Sequence, residues 1–522
     1  LGHIAATAAS TSLARPTFGQ ARGKTLKFVP AAPLTALDPI WTTAAVTRVH
    51  GYLVFDSLYG LDDALKPRPQ MAQGAKVDDD GLGWTVTLRP GLTFHDGQAV
   101  RASDCVASIK RWMKRSPMGQ KLESLTDALS ASDDLAIRFR LKRKFPQLLE
   151  ALGAVGPQAL IMPERLASTS PFEQVKEIVG SGPYRFLPGE FISGSFAAYE
   201  RFEGYVPTPD TGRGLTAGPK VAYFDRVEWN MIPDPATAAA ALMSGEVDWY
   251  EQVAPDLSDL LRKSGKLKVE KQDRFPLVPG LRFNALQPPF DNVKLRQALL
   301  PAISQEDVAL AVAGDNPGFW MKDTGVFTPG TPSASMAGLA PLQGPRDFAL
   351  AKRLMKEAGY NGELMRQLAP TDLPSVTATS QVVSDVFHRL GFNIEDAVSD
   401  WGTVVQRRAS KEPLDKGGWS VFCTSFSWFE FADPAVNIGL RGNGQGAYFG
   451  WPTVPRLEEL REHWFDAADA AARTAITEQM QQVAMTELPF IPLGAVFATT
   501  AYSKSLSDRI VALPLFWNIR RS

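Results

Sequence analysis

Trp84-Thr85-Val86-Thr87-Leu88-Arg89, closed by Pro90-Gly91 and followed by Phe94-His95-Asp96-Gly97, is the stretch on which the reading of the fold turns. The first six residues alternate with period two, which predicts a half-buried strand, and Pro90-Gly91 ends it. Phe94 to Gly97 reads as a turn. From Ala102 or Ser103 onward, apolar residues fall at Cys105, Val106, Ile109, Trp112 and Met113, one stripe of an amphipathic helix. Strand, turn and helix therefore follow one another within thirty residues. Working outward, Thr25 to Val29 (TLKFV) and Leu135 to Leu141 (LAIRFRL) read as further strands, and Val49 to Leu61 as a mostly apolar helix. Gly180-Ser181-Gly182-Pro183-Tyr184 reads as a glycine-punctuated turn into strands at Phe196 to Tyr199 and Arg226 to Met231. Helices are expected at Pro235 to Gly245, at Val293 to Ile303, before Gly359 and between Val454 and Glu487. Strands and helices are mixed throughout, with no fixed-period repeat, so the class is α/β.

A chain of 522 residues exceeds one compact core, and two or three domains follow. Its 55 basic and 56 acidic side chains leave a formal charge of -1, so no global field recruits nucleic acid or an anionic membrane. No apolar run reaches the ~18 residues that span a bilayer. Residues 1–23 are small and weakly apolar, with Gly19 and Ala21 at the spacing of an export-cleavage site. They read as the remnant of a secretory leader or as an N-terminal arm, with charged Arg22 and Lys24 marking the passage into the mature body. Cys105 and Cys423 are expected in different lobes and unbridged.

The motifs of common chemistry are missing. None of the five histidines, His3, His50, His95, His388 and His463, has an i, i+4 partner for metal. His95 reads as a side chain that caps its own turn, and Asp78-Asp79-Asp80-Gly81 as a solvated turn without the closing glutamate of a calcium loop. There is no Gly-x-Ser-x-Gly elbow and no phosphate-cradling Gly-x-x-x-x-Gly-Lys loop. The positive signal is aromatic. Trp419, Phe422, Phe426, Trp428, Phe429 and Phe431 crowd one short segment with Glu430 and Asp433 among them. Such a run suits both a buried strand and the wall of a ligand cleft.

These pieces, in their order, resemble the extracellular solute-binding proteins of ABC transporters, family 5, which include dipeptide- and oligopeptide-binding proteins. The likeness rests on Leu37-Asp38-Pro39, Val54-Phe55-Asp56-Ser57-Leu58-Tyr59, Trp84 to Gly97 and Gly180 to Tyr184. Ser244-Gly245-Glu246-Val247-Asp248, Asn292 to Ala298, Ala351 to Tyr360, Asp433-Pro434 and Pro489 to Pro492 extend it over nearly the whole chain. The resemblance implies a two-lobed periplasmic-binding-protein fold of type II with a hinge between the lobes. Lobe I is expected over 24–278 with an extra subdomain near 59–179, lobe II over 279–490, and a return to lobe I over 491–522. The two crossovers are expected near Phe275 to Asn284 and Pro489 to Val496.

The implied function is that of a periplasmic receptor that captures a di- or oligopeptide by hinge closure and hands it to the permease. Non-peptide solutes of the family (opines, oligosaccharides, metal chelates), a sensory receptor role and a secreted hydrolase are the alternatives. The expectation is a non-enzymatic monomer with no cofactor, no metal site and no nucleic-acid partner. Expected ligand residues are Trp41, Tyr184, Asn284, Trp401, Trp419, Trp428, Glu430 and Phe431. In peptide-binding relatives an aspartate shortly after a tryptophan and before Asp-Pro holds the peptide amine. Here the segment Trp428-Phe429-Glu430-Phe431-Ala432-Asp433-Pro434 is one residue shorter and lacks it, which leaves Glu430 and Asp433 as substitutes.

Overall fold

The structure is a computed structural model that describes residues 24–522 apart from 157, 213 and 468. The leader reading of residues 1–23 lies outside the described residues. Thr25–Val29 is the strand around which the first lobe is laid down. Four of its five residues are buried, and it runs parallel to Arg226–Asn230 on one side and Trp249–Tyr250 on the other. A strand covered on both faces in this way reads as a continuous apolar run. Phe28 packs edge-on against Trp249 at 4.9 Å and Phe516 at 5.0 Å, with Trp229 at 5.4 Å. The full sheet runs Tyr184–Phe186, Phe196–Arg201, Arg226–Asn230, Thr25–Val29, Trp249–Tyr250, Thr499–Ser503, Leu267–Lys271.

The strand expected at Trp84 is Gly83–Leu88, and the helix that follows is Ala102–Met113. Ala72–Val77, Gly83–Leu88, Ala136–Leu141 and Thr126–Ala131 form a four-stranded antiparallel sheet in that order. Cys105, Ile109 and Trp112 sit fully buried in the core it shares with the helix. The Phe94-His95-Asp96-Gly97 turn has a different purpose from local capping. His95 Nε2 lies 3.0 Å from Gly182 O, and the ring is buried, which pushes its pKa down to about 4 and keeps it neutral. His95 thus clamps the Gly180-Ser181-Gly182 turn onto the subdomain. That turn crosses the end of the helix Ala45–Val54 so closely that a Cβ on Gly180 would stand 1.9 Å from Val54 O. The helix read over Val49 to Leu61 accordingly stops at Val54, and Tyr59–Leu61 is a strand.

The second lobe has a five-stranded sheet in the order Asn393–Ser399, Leu364–Pro370, Val421–Phe426, Val278–Phe283, Phe490–Pro492. Leu281, Phe283, Val421 and Cys423 share one core with Val383, Val386 and Phe387 of the helix Pro374–Leu390. The late helical region is two helices, Pro455–Asp466 and Ala470–Glu487, and the helix expected over Val293 to Ile303 is α-helical only to Ala298. Cys105 and Cys423 are both free and buried. No helix among the described residues is long and apolar enough to cross a membrane.

The chain leaves the first sheet after Lys271, enters the second at Val278, and returns between Pro492 and Thr499. Midway, Leu277 N–H donates to Val496 O at 2.8 Å and Val496 N–H donates back at 2.9 Å. The two crossing segments are therefore one hydrogen-bonded ribbon.

The Leu37-Asp38-Pro39 turn is pinned by a buried ion pair. Asp38 accepts Arg111 Nη1 at 3.0 Å and Nη2 at 2.7 Å, together with the amides of Ile40 and Val175. Desolvation works against this carboxylate, but Arg111 and the amides outweigh it and hold its pKa below the usual value. Arg111→Met is expected to lower stability by about 3–5 kcal/mol, because it strands a buried charge. A thermal melt reads this as a large fall in midpoint, whereas Arg140→Met, which breaks the half-exposed pair with Asp80, should leave the midpoint nearly unchanged.

Candidate ligand cleft

The parallel strands of the first sheet end at Val29 and Tyr250, on the side where the crossing ribbon departs. In open α/β sheets this carboxyl edge is where ligands bind. Glu251 sits there, accepting the Ala31 amide at 2.7 Å. Desolvation pushes its carboxyl up to about 7, since one backbone donor does not replace the water it has lost. Asp273, in the ribbon, is desolvated too and is pushed up to about 6 despite accepting from Phe275 N–H.

From the other lobe, the residues after Phe426 come down onto this edge. Ser427 starts a single 3₁₀ turn, Trp428–Glu430, whose capping box is closed by the Glu430 carboxylate accepting Ser427 N–H at 2.9 Å. That turn aims three side chains at the first lobe. Trp428 Nε1 donates to Asp273 Oδ2 at 3.0 Å and its ring lies 4.6 Å from Phe275. Phe429 lies under the Arg48 guanidinium at 4.5 Å and fills the space a side chain at Gly156 would need. Glu430 Oε1 lies 3.6 Å from Arg48 Nη2, with both side chains mostly buried. At the rim away from the ribbon, Glu462 and Asp466 of the second lobe meet Lys121 and Arg143 of the first, with Lys121 also 4.6 Å above the Phe465 ring.

The expected site residues separate into distinct groups. Trp428 and Glu430 come together at the seam between the lobes. Trp401 and Trp419 belong to a second aromatic cluster with Phe422 and Trp451 in the second lobe. Trp419 is 1% exposed and donates Nε1 to Ser410 O at 3.1 Å. Phe431 is fully buried, stacked on Phe426 at 4.3 Å. Asn284 is closed to solvent, its amide donating to Trp419 O at 2.9 Å. Tyr184 is buried within the first sheet, where desolvation raises its pKa. Trp41 is half-buried on the first lobe and donates Nε1 to Phe172 O at 3.2 Å. The side chains of Tyr184, Asn284, Trp419 and Phe431 are thus spent on packing and internal bonds. Asp433 caps its own turn, accepting the amides of Ala435 and Val436.

The sequence does not single out Arg48, Glu251, Asp273 or Phe275 as site residues, and marks Phe429 only as a member of the aromatic run. Arg48 stands one residue before the apolar run that reads as a helix, and Asp273 acquires its role only where the ribbon meets Trp428. Among the described residues no group of three or more His, Cys, Asp and Glu side chains is arranged to hold a metal ion.

Comparison with known proteins agrees with this architecture. The family model for bacterial extracellular solute-binding proteins, family 5 Middle, matches residues 66–447. A probable peptide ABC transporter periplasmic-binding protein of Sinorhizobium fredii is 37% identical over 98% of this chain and 96% of its own length. A glutathione-binding protein of Pectobacterium atrosepticum is 27% identical over 91% of this chain and 89% of its own. Among solved structures, a dipeptide-binding protein from Pseudoalteromonas in complex with Met-Leu superposes with a TM-score of 0.77 at 19% identity, covering 96% of this chain and 100% of that one. The binding protein AgaA of A. tumefaciens R10, in complex with agropinic acid, superposes at 0.78 and 18% identity, covering 95% and 99%. With two lobes joined by a paired ribbon and a family match across most of its length, this chain belongs to the bacterial extracellular solute-binding proteins, family 5.

Proposed function

We propose that this protein is the periplasmic receptor of an ABC importer that captures peptides between its lobes and presents them, as a monomer, to the membrane permease. The observation that carries the reading is the seam at Trp428–Glu430, where one turn of the second lobe meets Arg48 and Asp273 of the first. Residues 24–278 with 491–522 act as one body and 279–490 as the other. The ribbon at Leu277 and Val496 is the hinge. A solute that touches both walls stabilises the closed form, because only that form offers both. Moving such an equilibrium from 1:99 to 99:1 takes about 5.5 kcal/mol of differential affinity, within reach of aromatic walls that shed water on closure.

The side chains best suited to covalent or acid–base chemistry are deployed structurally, which favours binding over turnover. His50 is buried beside Tyr199 and pushed down to about 3, and His95 is committed to Gly182. Burial raises the thiol pKa of Cys423 to about 12 and that of Cys105 further still. Glu430 is already neutralised by Arg48 and bonded to Ser427 N–H, so the amine-binding role that the missing aspartate leaves open has no free carboxylate at that turn. The relative that binds agropinic acid keeps an opine as the second reading.

Two outcomes test the proposal. Protein unfolded, washed and refolded to remove carried-over solute should be stabilised by short peptides, by about 2.7 kcal/mol at one hundred times the dissociation constant. Trp428→Ala should weaken that binding at least tenfold with the fold retained by circular dichroism. A shift with opines and none with peptides would replace the peptide reading.

The second outcome concerns pH. The pKa values of Asp273 and Glu251 are raised in the folded state, from 3.8 and 4.5 to about 6 and about 7, so the native protein holds protons the unfolded chain has released. Their contribution is full below about pH 4 and is lost as pH rises through 6 to 7. The double variant Asp273→Asn, Glu251→Gln should therefore show a flatter dependence of melting temperature on pH between 4 and 7 than the parent protein.

A further inference from the structure

The helix Pro455–Asp466 takes part in two cores. Leu457 and Leu460, in its first half, are buried in the core of the second lobe, whereas Trp464 and Phe465, in its last turn, are buried in the core of the first. Phe465 packs against Phe145 with ring centroids 6.0 Å apart, and the Lys121 ammonium stands 4.6 Å over its ring. The Gln147 side-chain amide, itself buried, makes a long hydrogen bond of 3.5 Å to the Phe465 carbonyl.

The same turn carries the wrong charge for its position. The last carbonyls of a helix have no partner within it and form the negative end of its dipole, so carboxylates there are unfavourable and cations favourable. This turn holds Glu462 and Asp466 against the single basic residue His463. The complement stands on the other lobe. Lys121 Nζ pairs with Glu462 Oε2, Arg143 Nη2 reaches the same oxygen at 3.1 Å, and Arg143 Nη1 reaches Asp466 Oδ1 at 2.8 Å. Desolvation works against the Glu462 carboxylate, but Lys121 and Arg143 outweigh it and hold its pKa below the usual value. The Lys121 side chain is only 10% exposed, so its charge has exchanged most of its water for Glu462 and the Phe465 ring.

We propose that the last turn of this helix is an electrostatic clasp, formed when the lobes close, which raises the affinity for the captured solute without touching it. The chain joins the two sides only through the crossing ribbon. A bend that parts the lobes therefore strips the helix end of Lys121, Arg143 and Gln147 and uncovers Trp464 and Phe465. Opening leaves two carboxylates uncompensated at the negative end of a helix dipole, and closing relieves them. A contact made in the closed form alone shifts the open–closed equilibrium toward it, and a solute that prefers that form then binds more tightly overall. The inference rests on the hinge closure of the proposed function and is independent of which solute is captured.

The test is double electron–electron resonance on the full chain, freed of solute, alone and with a library of tripeptides built from Ala, Leu and Phe. Spin labels are carried by Lys76→Cys in the first lobe and Lys352→Cys in the second, both exposed positions, while the native Cys105 and Cys423 are buried. Lys121→Glu with Arg143→Glu should lower the ratio of closed to open populations by roughly tenfold. Adding Glu462→Lys and Asp466→Lys, which rebuilds the pairs with their signs exchanged, should restore the parent distribution. Glu462→Gln with Asp466→Asn should also favour the open form, although it removes charge that the helix end disfavours. Raising the salt from about 0.01 M to about 1 M, which shortens the screening length from about 30 Å to about 3 Å, should open the parent and leave that neutral variant unchanged. Identical distributions for the parent, reversed and neutral chains, with and without the library, would overturn the clasp. So would failure of the sign-exchanged chain to recover, since packing and not charge would then hold the turn. A single distance in every chain under every condition would overturn the hinge reading as well. A parent that ignores the library while the reversed chain opens would sustain the clasp and overturn the peptide reading. Should the reversed chain fail to fold, the neutral variant decides, because Glu462 and Asp466 are half exposed.

Discussion

The backbone bonds exchanged between Leu277 and Val496 couple the two passages between the lobes into one strip, and the geometry of the cleft follows from that coupling. Were the two segments separate tethers, each lobe could twist and slide independently. Paired, they leave mainly a bending motion, and a bend brings the same faces together each time. The residues beside the strip gain from this. Asp273 and Phe275 meet Trp428, and a single 3₁₀ turn registers one lobe on the other. Elsewhere along the interface, Lys121 and Arg143 pair directly with Glu462 and Asp466, and the half-exposed Arg143 pairs are open to screening by salt. The Arg48–Glu430 seam is desolvated, whereas the Arg143 pairs are about half exposed.

The second theme is how the molecule disposes of buried charge. Asp38 and Arg111 neutralise each other under the Leu37-Asp38-Pro39 turn, and Asp56 does the same with Lys220 at 2.6 Å while also accepting Tyr205. Arg282 is dissolved in carbonyls. These arrangements are complete, and they explain why the sequence motifs built around Asp38 and Asp56 read as fixed points of the fold. The incomplete arrangement is that of Glu251, which has one backbone donor at the carboxyl edge of the first sheet, and its uncompensated desolvation costs stability.

Much of the fold was legible because its signals are local. Alternation over Trp84 to Arg89 and the stripe from Cys105 to Met113 need no knowledge of the rest of the chain, and both elements formed as read. The readings that failed depended on distant partners. Nothing near Val54 announces that Gly180 and Gly182 will cross it, so the helix was read too long, and His95 was given a local partner when its true one is Gly182. The same limit governs the cleft. The aromatic run from Trp419 to Phe431 was visible, but periodicity does not say which face of a strand looks toward the other lobe, and Phe431 and Trp419 proved to be packing.

The position of Thr499–Ser503 has a bearing on how the molecule is made. This strand is inserted between Trp249–Tyr250 and Leu267–Lys271, where Thr500 Oγ1 accepts the Trp249 indole at 2.8 Å, and Phe516 closes the aromatic packing on Phe28. A chain emerging from the ribosome holds an unfilled slot in its first lobe, lined by exposed strand edges and unpacked tryptophans, until Thr499–Ser503 and Phe516 have been joined. The first sheet therefore waits for this late strand before it can close.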